Sequence, residues 1–99
     1  MSTIQAGGTN NKVTKELTVT NKLGIHARPA ALFVKVAHKY RSHITVEKDG
    51  EEINGKSIMG LMMLAAGQGS QLTVCAAGED AAAAILAIEE LFARKFNEE

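Results

Sequence analysis

The sequence has few of the residues that stabilise small secreted or membrane-bound proteins. Its 99 positions hold one cysteine, one proline, one tyrosine, three phenylalanines and no tryptophan. The single cysteine, Cys75, cannot form an intramolecular disulfide, which argues against the disulfide-rich secreted scaffolds and favours a reducing compartment. No run approaches the ~20 apolar residues that a membrane helix needs, and the polar residues 1–12 lack the apolar segment of a signal peptide. The sequence therefore predicts a cytoplasmic protein with no membrane insertion.

Net charge is also lacking, because eleven Lys and Arg residues balance eleven Asp and Glu residues. Without a basic excess to neutralise a row of phosphates, we expect no nucleic-acid partner. The charges are nevertheless uneven, since residues 22–48 hold six basic side chains and one acidic side chain. Such a basic half is typical either of a surface that binds an acidic partner or a small anion, or simply of solvated helix faces.

The chain is long enough for one hydrophobic core, so we expect a flexible tail at residues 1–12 and a single domain at residues 13–99. Alternating and helical apolar patterns give the order βαββαβα, with an Asp-Gly hairpin between the second and third strands. This order predicts an α+β fold in which helices pack on one face of an antiparallel sheet. The predicted strands are 13–20, 43–47, 52–54 and 71–77, and the predicted helices start near residues 26, 57 and 80.

The second predicted helix has apolar residues at helical spacing and residues suited to both of its ends. Ser57 is predicted to cap its start and Gly67 to end it. Helical spacing groups Ile58, Leu61, Met62 and Ala65 in one stripe, which predicts that Met62 is buried. Met59 falls off the stripe, so we expect it to be exposed beside the first helix. The last helix is predicted to begin with a cap from Asp80.

The residues best suited to a chemical reaction lie at the start of the first predicted helix. Pro29 fits only in a first turn, which places the helix start close to His26. A histidine there has free backbone N–H donors and the positive end of the helix dipole beside it, which favour a neutral, nucleophilic ring nitrogen and stabilise an attached dianion. Arg28 can hold phosphate oxygens in two parallel hydrogen bonds. The segment indicates a site for a covalently held phosphoryl group, the alternative being a histidine that merely caps the helix.

Two separate motifs resemble one known family. Residues 21–30, Asn-Lys-Leu-Gly-Ile-His-Ala-Arg-Pro-Ala, closely resemble the active-site signature of HPr, the histidine-containing phosphocarrier family of the bacterial phosphotransferase system. Residues 55–60, Gly-Lys-Ser-Ile-Met-Gly, resemble the regulatory serine region of the same family. The resemblance runs from about Val13 to Phe96. It implies an open-faced sandwich of four antiparallel strands with three helices on one face.

The resemblance also implies a function for individual residues. His26 would accept a phosphoryl group on Nδ1 from phosphoenolpyruvate-charged enzyme I, Arg28 would stabilise that group, and a IIA domain would receive it. Ser57 would be the regulatory acceptor of an ATP-dependent HPr kinase/phosphorylase. We therefore expect a covalent carrier, not an enzyme with its own turnover, that is monomeric and uses no cofactor.

Two alternatives stay open. Family members often have Asn or Ser three residues before the histidine, whereas this chain has Leu23, and Asn-Lys-Leu-Gly is closer to the nitrogen-related paralogue, NPr. A carrier of that type passes phosphoryl to regulatory proteins instead of sugar transporters. The second alternative is a regulatory binding module whose His26 is never charged and whose only switch is Ser57.

Other motifs give weaker indications. Residues 50–57 match the P-loop pattern G-x-x-x-x-G-K-S, but Gly50 closes a predicted hairpin, and Glu51 and Glu52 would oppose a triphosphate. No cysteine or carboxylate joins His38 and His43 at a structural-zinc spacing, so we expect no metal site and an exposed position for both histidines.

A docking surface follows if the first and second helices begin near one another, as the family fold implies. Ala27, Ala31, Ile58 and Met59 would then form an apolar patch around His26, with Lys35 and other basic residues at its rim. Such a surface suits brief docking on acidic partners.

Overall fold

The computed structural model describes residues 11–98, which form a four-stranded antiparallel sheet and three helices. The elements are β1 Lys12–Thr18, α1 Ala27–Ala37, β2 His43–Lys48, β3 Glu51–Asn54, α2 Ile58–Met63, β4 Gln71–Ala77 and α3 Ala81–Ala93. The strands lie in the order β1-β4-β2-β3, so β1 and β3 are the two edges. The predicted order of elements is confirmed, although β1 begins at Lys12, within the predicted tail, and residues 1–10 of that tail lie outside the described residues.

The helices bury their apolar sides against one face of the sheet. The central strand β4 pairs along its whole length with β1, and its Leu72, Val74 and Ala76 are buried in the core. Phe33 of α1 and Phe92 of α3 meet edge to face at 6.2 Å between ring centroids. The opposite face of the sheet is polar, and Thr14, Thr45, Thr73 and Cys75 line a shallow depression on it. One covered and one open face make the fold an open-faced sandwich.

The hairpin between β2 and β3 follows from its turn residues. Asp49 and Gly50 both have positive φ, 52° and 87°, which is the backbone that a two-residue hairpin turn requires. The next residues, Glu51–Asn54, are extended and pair with β2. Residues that form a paired strand cannot wrap around a phosphate, so the segment 50–57 does not have the geometry of a P-loop.

Helix α2 is shorter than predicted, and the prediction that Met62 is buried is wrong. The helix ends at Met63, and Ala65 has a φ of 51°, so the stripe does not continue to Gly67. The core contacts are made by Leu61, Leu64 and Ala66, whereas Met62 is 43% exposed. A helix of six residues can bury only a narrow side, and the spacing of Leu61 and Leu64 selects it.

Asp80 occupies the N-cap position of α3 as predicted, but its carboxylate does not cap the helix. It accepts hydrogen bonds from the backbone N–H groups of Arg41 and Ser42, at 2.8 and 3.0 Å, and from Ser42 Oγ at 2.5 Å. These bonds, that of the Ser42 hydroxyl first, hold the pKa of Asp80 below its ordinary value. The carboxylate therefore ties the start of α3 to the loop that follows α1.

Within residues 11–98, no helix is both long enough and apolar enough to cross a membrane.

Candidate functional site

A tight turn before α1 sets the position of His26. Asn21 is fully buried, and its backbone oxygen accepts from the Gly24 N–H at 3.2 Å. Gly24 has a φ of 70°, and a Cβ at this position would lie 2.5 Å from the Ala66 carbonyl oxygen. The next residue, Ile25, donates its N–H to the same carbonyl at 2.8 Å. Only glycine fits here, and the turn anchors the start of α1 to the loop after α2.

His26 is the N-cap residue of α1, in agreement with the predicted helix start. Its backbone oxygen accepts from the Ala30 N–H at 3.0 Å, while its side chain makes no capping hydrogen bond. Pro29 lies in the first turn, where the missing N–H costs no hydrogen bond. The imidazole is 37% exposed. The backbone of His26 is therefore held at the start of α1, while its ring is accessible from solvent and does not cap the helix.

The Glu98 carboxylate contacts the His26 ring, and no motif or spacing in the sequence predicts this contact. Glu98 Oε2 lies 2.9 Å from His26 Nε2, and Glu98 Oε1 accepts from Asn21 Nδ2 at 3.0 Å. Asn21 Nδ2 also donates to the Gly24 carbonyl at 2.8 Å. One buried amide thus connects the turn before α1 to the carboxylate that binds the histidine.

Glu98 reaches His26 because the chain turns sharply after α3. Lys95, Phe96 and Asn97 have φ values of 54°, 55° and 61°, a left-handed conformation that residues other than glycine rarely adopt. Phe96 is buried and packs on Phe92 at 4.8 Å between ring centroids. Arg94 Nε also donates to Asn97 Oδ1 at 3.1 Å. These contacts hold the turn and direct Glu98 back over the start of α1.

Arg28 borders the same region as His26. It is exposed in the first turn of α1, and it lines a surface cavity of about 350 Å³ together with Lys22, Leu23, Asn97 and Glu98. Two cationic side chains and the Glu98 carboxylate thus surround an open volume, and this carboxylate also contacts the imidazole. Lys22 and Arg28 are the cationic groups of this cavity that could interact with an anion.

Ser57 is the N-cap residue of α2. Its Oγ accepts from the Gly60 N–H at 3.0 Å, so the predicted cap is confirmed. The side chain is half-buried, and the preceding Lys56 donates from Nζ to the Tyr40 carbonyl at 2.8 Å. The hydroxyl is part of a helix cap that a phosphate or a carboxylate could also satisfy.

All four residues of the predicted docking patch, Ala27, Ala31, Ile58 and Met59, are exposed, and α1 and α2 pack against each other. Met59 is 74% exposed, as predicted. Leu23, Met62 and Met63 are also exposed, at 74%, 43% and 66%, although none of them was predicted to belong to a surface. For Met62 and Met63, the signal that could have found them is their consecutive position at the end of a short helix, whereas Leu23 lies in the turn before α1.

The remaining histidines have the expected positions. His38 is the C-cap of α1 and His43 begins β2, and both are exposed. Among the described residues, no three His, Cys, Asp or Glu side chains lie close enough to hold a metal ion.

The fold and the site define a class: a small open-faced α+β sandwich with an accessible histidine at the start of a helix. The family model for the phosphorylation-site component HPr of the phosphotransferase system matches residues 13–94. The chain belongs to the HPr family of phosphocarriers.

Individual relatives agree with this assignment. The chain is 51% identical to the phosphocarrier protein HPr of Xylella fastidiosa over 84 residues, 85% of this chain and 94% of that protein. Its fold is similar to HPr-C-His from Thermoanaerobacter tengcongensis, with a TM-score of 0.85, 47% identity, and coverage of 88% and 98% of the two chains. It is also similar to Crh of Bacillus subtilis, a catabolite repression protein whose crystal structure shows a swapping domain in a dimer. That similarity has a TM-score of 0.62 and 45% identity, over 88% of this chain and 95% of Crh.

Proposed function

We propose that this protein accepts a phosphoryl group on His26 from phosphoenolpyruvate-charged enzyme I and passes it to a IIA domain, in the cytoplasm and as a monomer. The observation that carries the proposal is the partly exposed imidazole at the N-terminus of α1, in contact with the Glu98 carboxylate that lines a cavity together with Arg28. The protein is a covalent carrier because its reactive group lies on an open surface that a second active site can approach.

Arg28 is proposed to stabilise the phosphoryl group. A phosphorylated side chain carries close to two negative charges near neutral pH, and a planar guanidinium can bind two of its oxygens. The backbone N–H groups of the first turn add positive partial charge at the same place. Lys22, which lines the same cavity, contributes a further positive charge without the planar geometry.

The direct test is to incubate the purified protein with enzyme I and labelled phosphoenolpyruvate. A carrier acquires acid-labile phosphate on histidine and loses it when a IIA domain is added. A sugar-specific IIA domain and a nitrogen-type regulatory IIA domain, compared in parallel, distinguish the two kinds of acceptor. A protein that stays unlabelled would be a regulatory module controlled through Ser57, the role that similarity to the catabolite repression protein Crh favours.

Ser57 is proposed as a regulatory phosphoacceptor for an HPr kinase/phosphorylase. Ser57→Asp should raise the Michaelis constant with enzyme I by about tenfold, because a negative charge is added at a surface that contacts an acidic partner. It should not lower the melting temperature, since aspartate caps helices as well as serine. Kinetics of labelling and thermal melts measure the two effects.

Ser57→Asn is the matched control, because asparagine also caps a helix but adds no charge. It should leave the Michaelis constant within about twofold of the parent. Equal kinetics for the two variants would mean that Ser57 is only a helix cap.

The patch of Ala27, Ala31, Ile58 and Met59 is proposed to contact enzyme I, with Lys35 at its rim. Met59→Glu places a carboxylate at a member of the patch that is 74% exposed, opposing both apolar contact and an acidic partner. We expect the Michaelis constant to rise by about tenfold, which corresponds to ~1.4 kcal/mol, with no loss of folding.

Leu86→Glu is the control for this variant, since Leu86 is a similarly exposed apolar residue on α3, at 61%. It should be labelled with the kinetics of the parent. If both variants behaved alike, contact with enzyme I would not involve the patch.

A further inference from the structure

We infer that Glu98 is a positioning residue for His26: its carboxylate accepts the Nε2–H and leaves Nδ1 unprotonated as the nucleophilic nitrogen. The inference rests on the proposed phosphoryl transfer and assigns a role to a residue outside both motifs. It is carried by the contact of 2.9 Å between Glu98 Oε2 and His26 Nε2.

The chemistry of the two groups fixes the direction of this hydrogen bond. An ionised carboxylate can only accept, so the proton between the two atoms belongs to Nε2. A neutral imidazole carries one N–H, and with Nε2 protonated the lone pair lies on Nδ1. A carboxylate that orients a histidine and selects its tautomer in this way is a common feature of acid–base and nucleophilic sites.

The surroundings hold the carboxylate in place. The Glu98 side chain is only 17% exposed, and its second oxygen accepts from the buried amide of Asn21 at 3.0 Å. Because Asn21 also donates to the Gly24 carbonyl, its amide cannot rotate without losing a bond. The network offers two donors, Asn21 Nδ2 and His26 Nε2, to one side chain. Only a carboxylate has two oxygens to accept both.

The backbone before Glu98 supports the same role. Three consecutive residues, Lys95, Phe96 and Asn97, adopt left-handed φ values. A strained conformation kept by surrounding contacts is typical of segments that hold a functional group. Here the buried Phe96 ring holds the turn, and the turn brings the carboxylate to a histidine 72 positions earlier in the chain.

The contact also fits the transfer step. As the Nδ1 lone pair forms the N–P bond, the bond from phosphorus to the donor breaks and its electron pair leaves with the donor. The ring keeps its Nε2–H and becomes cationic, and the Glu98 carboxylate stabilises that charge. In onward transfer the N–P pair returns to Nδ1, and the ring is neutral again. The carboxylate stays at the nitrogen that does not carry phosphorus.

The first test measures the hydrogen bond itself, without enzyme I. In ¹⁵N-labelled protein at alkaline pH, where an imidazole is neutral, the His26 Nε2–H should give a resolved proton resonance that exchanges slowly with water. Glu98→Ala should lose that resonance, because the proton then exchanges rapidly with water. The control Glu79→Gln also removes one negative charge, at the residue before Asp80, and should keep the resonance. A resonance that persists unchanged in Glu98→Ala would overturn the inference.

The second test measures transfer from charged enzyme I. Glu98→Ala should lower kcat for labelling by about tenfold, with the Michaelis constant within about twofold of the parent. Glu98→Gln keeps the length of the side chain and should also be slow, since an NH₂ donor would replace one of the two oxygens that accept from Asn21 and His26. Wild-type kcat in both variants would overturn the positioning role. Absence of labelling in the parent protein would instead overturn the proposed function. The resonance experiment does not require phosphoryl transfer, so it tests the hydrogen bond in either case.

Discussion

Replacing His26 with alanine is expected to reduce phosphate incorporation from enzyme I and labelled phosphoenolpyruvate to background. No other histidine has the same surroundings: His26 stands at the start of α1 and contacts the Glu98 carboxylate. The fold should survive, because the imidazole is partly exposed and contributes one hydrogen bond to Glu98. Losing that bond costs about 1 kcal/mol, which shifts the melting temperature of a domain this size by roughly 4–8 °C.

His38→Ala and His43→Ala are the matched controls. Both side chains are exposed, one at the end of α1 and the other at the start of β2. Each variant should be labelled as fast and as fully as the parent protein. Acid-labile phosphate on a folded His26→Ala protein would place the acceptor on another residue and remove the basis of the proposed function.

Periodicity and turn residues predicted most of the fold. The strand Gln71–Ala77 alternates cleanly and pairs on both sides, so its predicted bounds are those observed. The Asp49-Gly50 turn and the helix start at His26 each depend on two or three adjacent residues. Local signals of this kind can be evaluated without knowing the rest of the chain, which explains why they were correct.

The errors arose where tertiary contacts compete with local preference. Asp80 has the residue type of a helix cap, yet its carboxylate binds Arg41 and Ser42, which are distant in sequence. Met62 has the spacing of a core residue, but α2 ends after six residues and buries only one narrow side. Neither outcome depends on the segment alone, so a pattern within the segment could not predict it.

The site was only half predictable for the same reason. His26 and Arg28 lie within three positions and form a motif, whereas Glu98 comes from the other end of the chain. The turn that delivers Glu98 uses Lys95, Phe96 and Asn97 in left-handed conformations, with no glycine to mark it. Asn21 belongs to the resembled motif, but its bond to Glu98 could not be seen before the carboxylate was placed.

Gly24→Ala is expected to cause the largest loss of stability among these single changes. The new methyl would lie 2.5 Å from the Ala66 carbonyl oxygen and 2.8 Å from Gly67 Cα, both backbone atoms that cannot move aside as a flexible side chain would. A φ of 70° adds about 1 kcal/mol for a residue with a Cβ. Together these effects should lower the free energy of unfolding by about 3 kcal/mol, measured by urea denaturation.

Gly69→Ala separates the two causes, because Gly69 also has a positive φ, 92°, but a Cβ there meets nothing within 4 Å. It should cost only the ~1 kcal/mol of the left-handed backbone. The remaining loss in Gly24→Ala then measures the close approach of the turn to Ala66, which also receives the Ile25 N–H. Since His26 is the residue after Ile25, a change in this hydrogen bond would also move His26. The folded fraction of Gly24→Ala should therefore transfer phosphoryl more slowly as well. Equal losses of stability in the two variants would mean that the loop after α2 can shift at little cost in free energy. The contact between Gly24 and Ala66 would then not hold His26 in place.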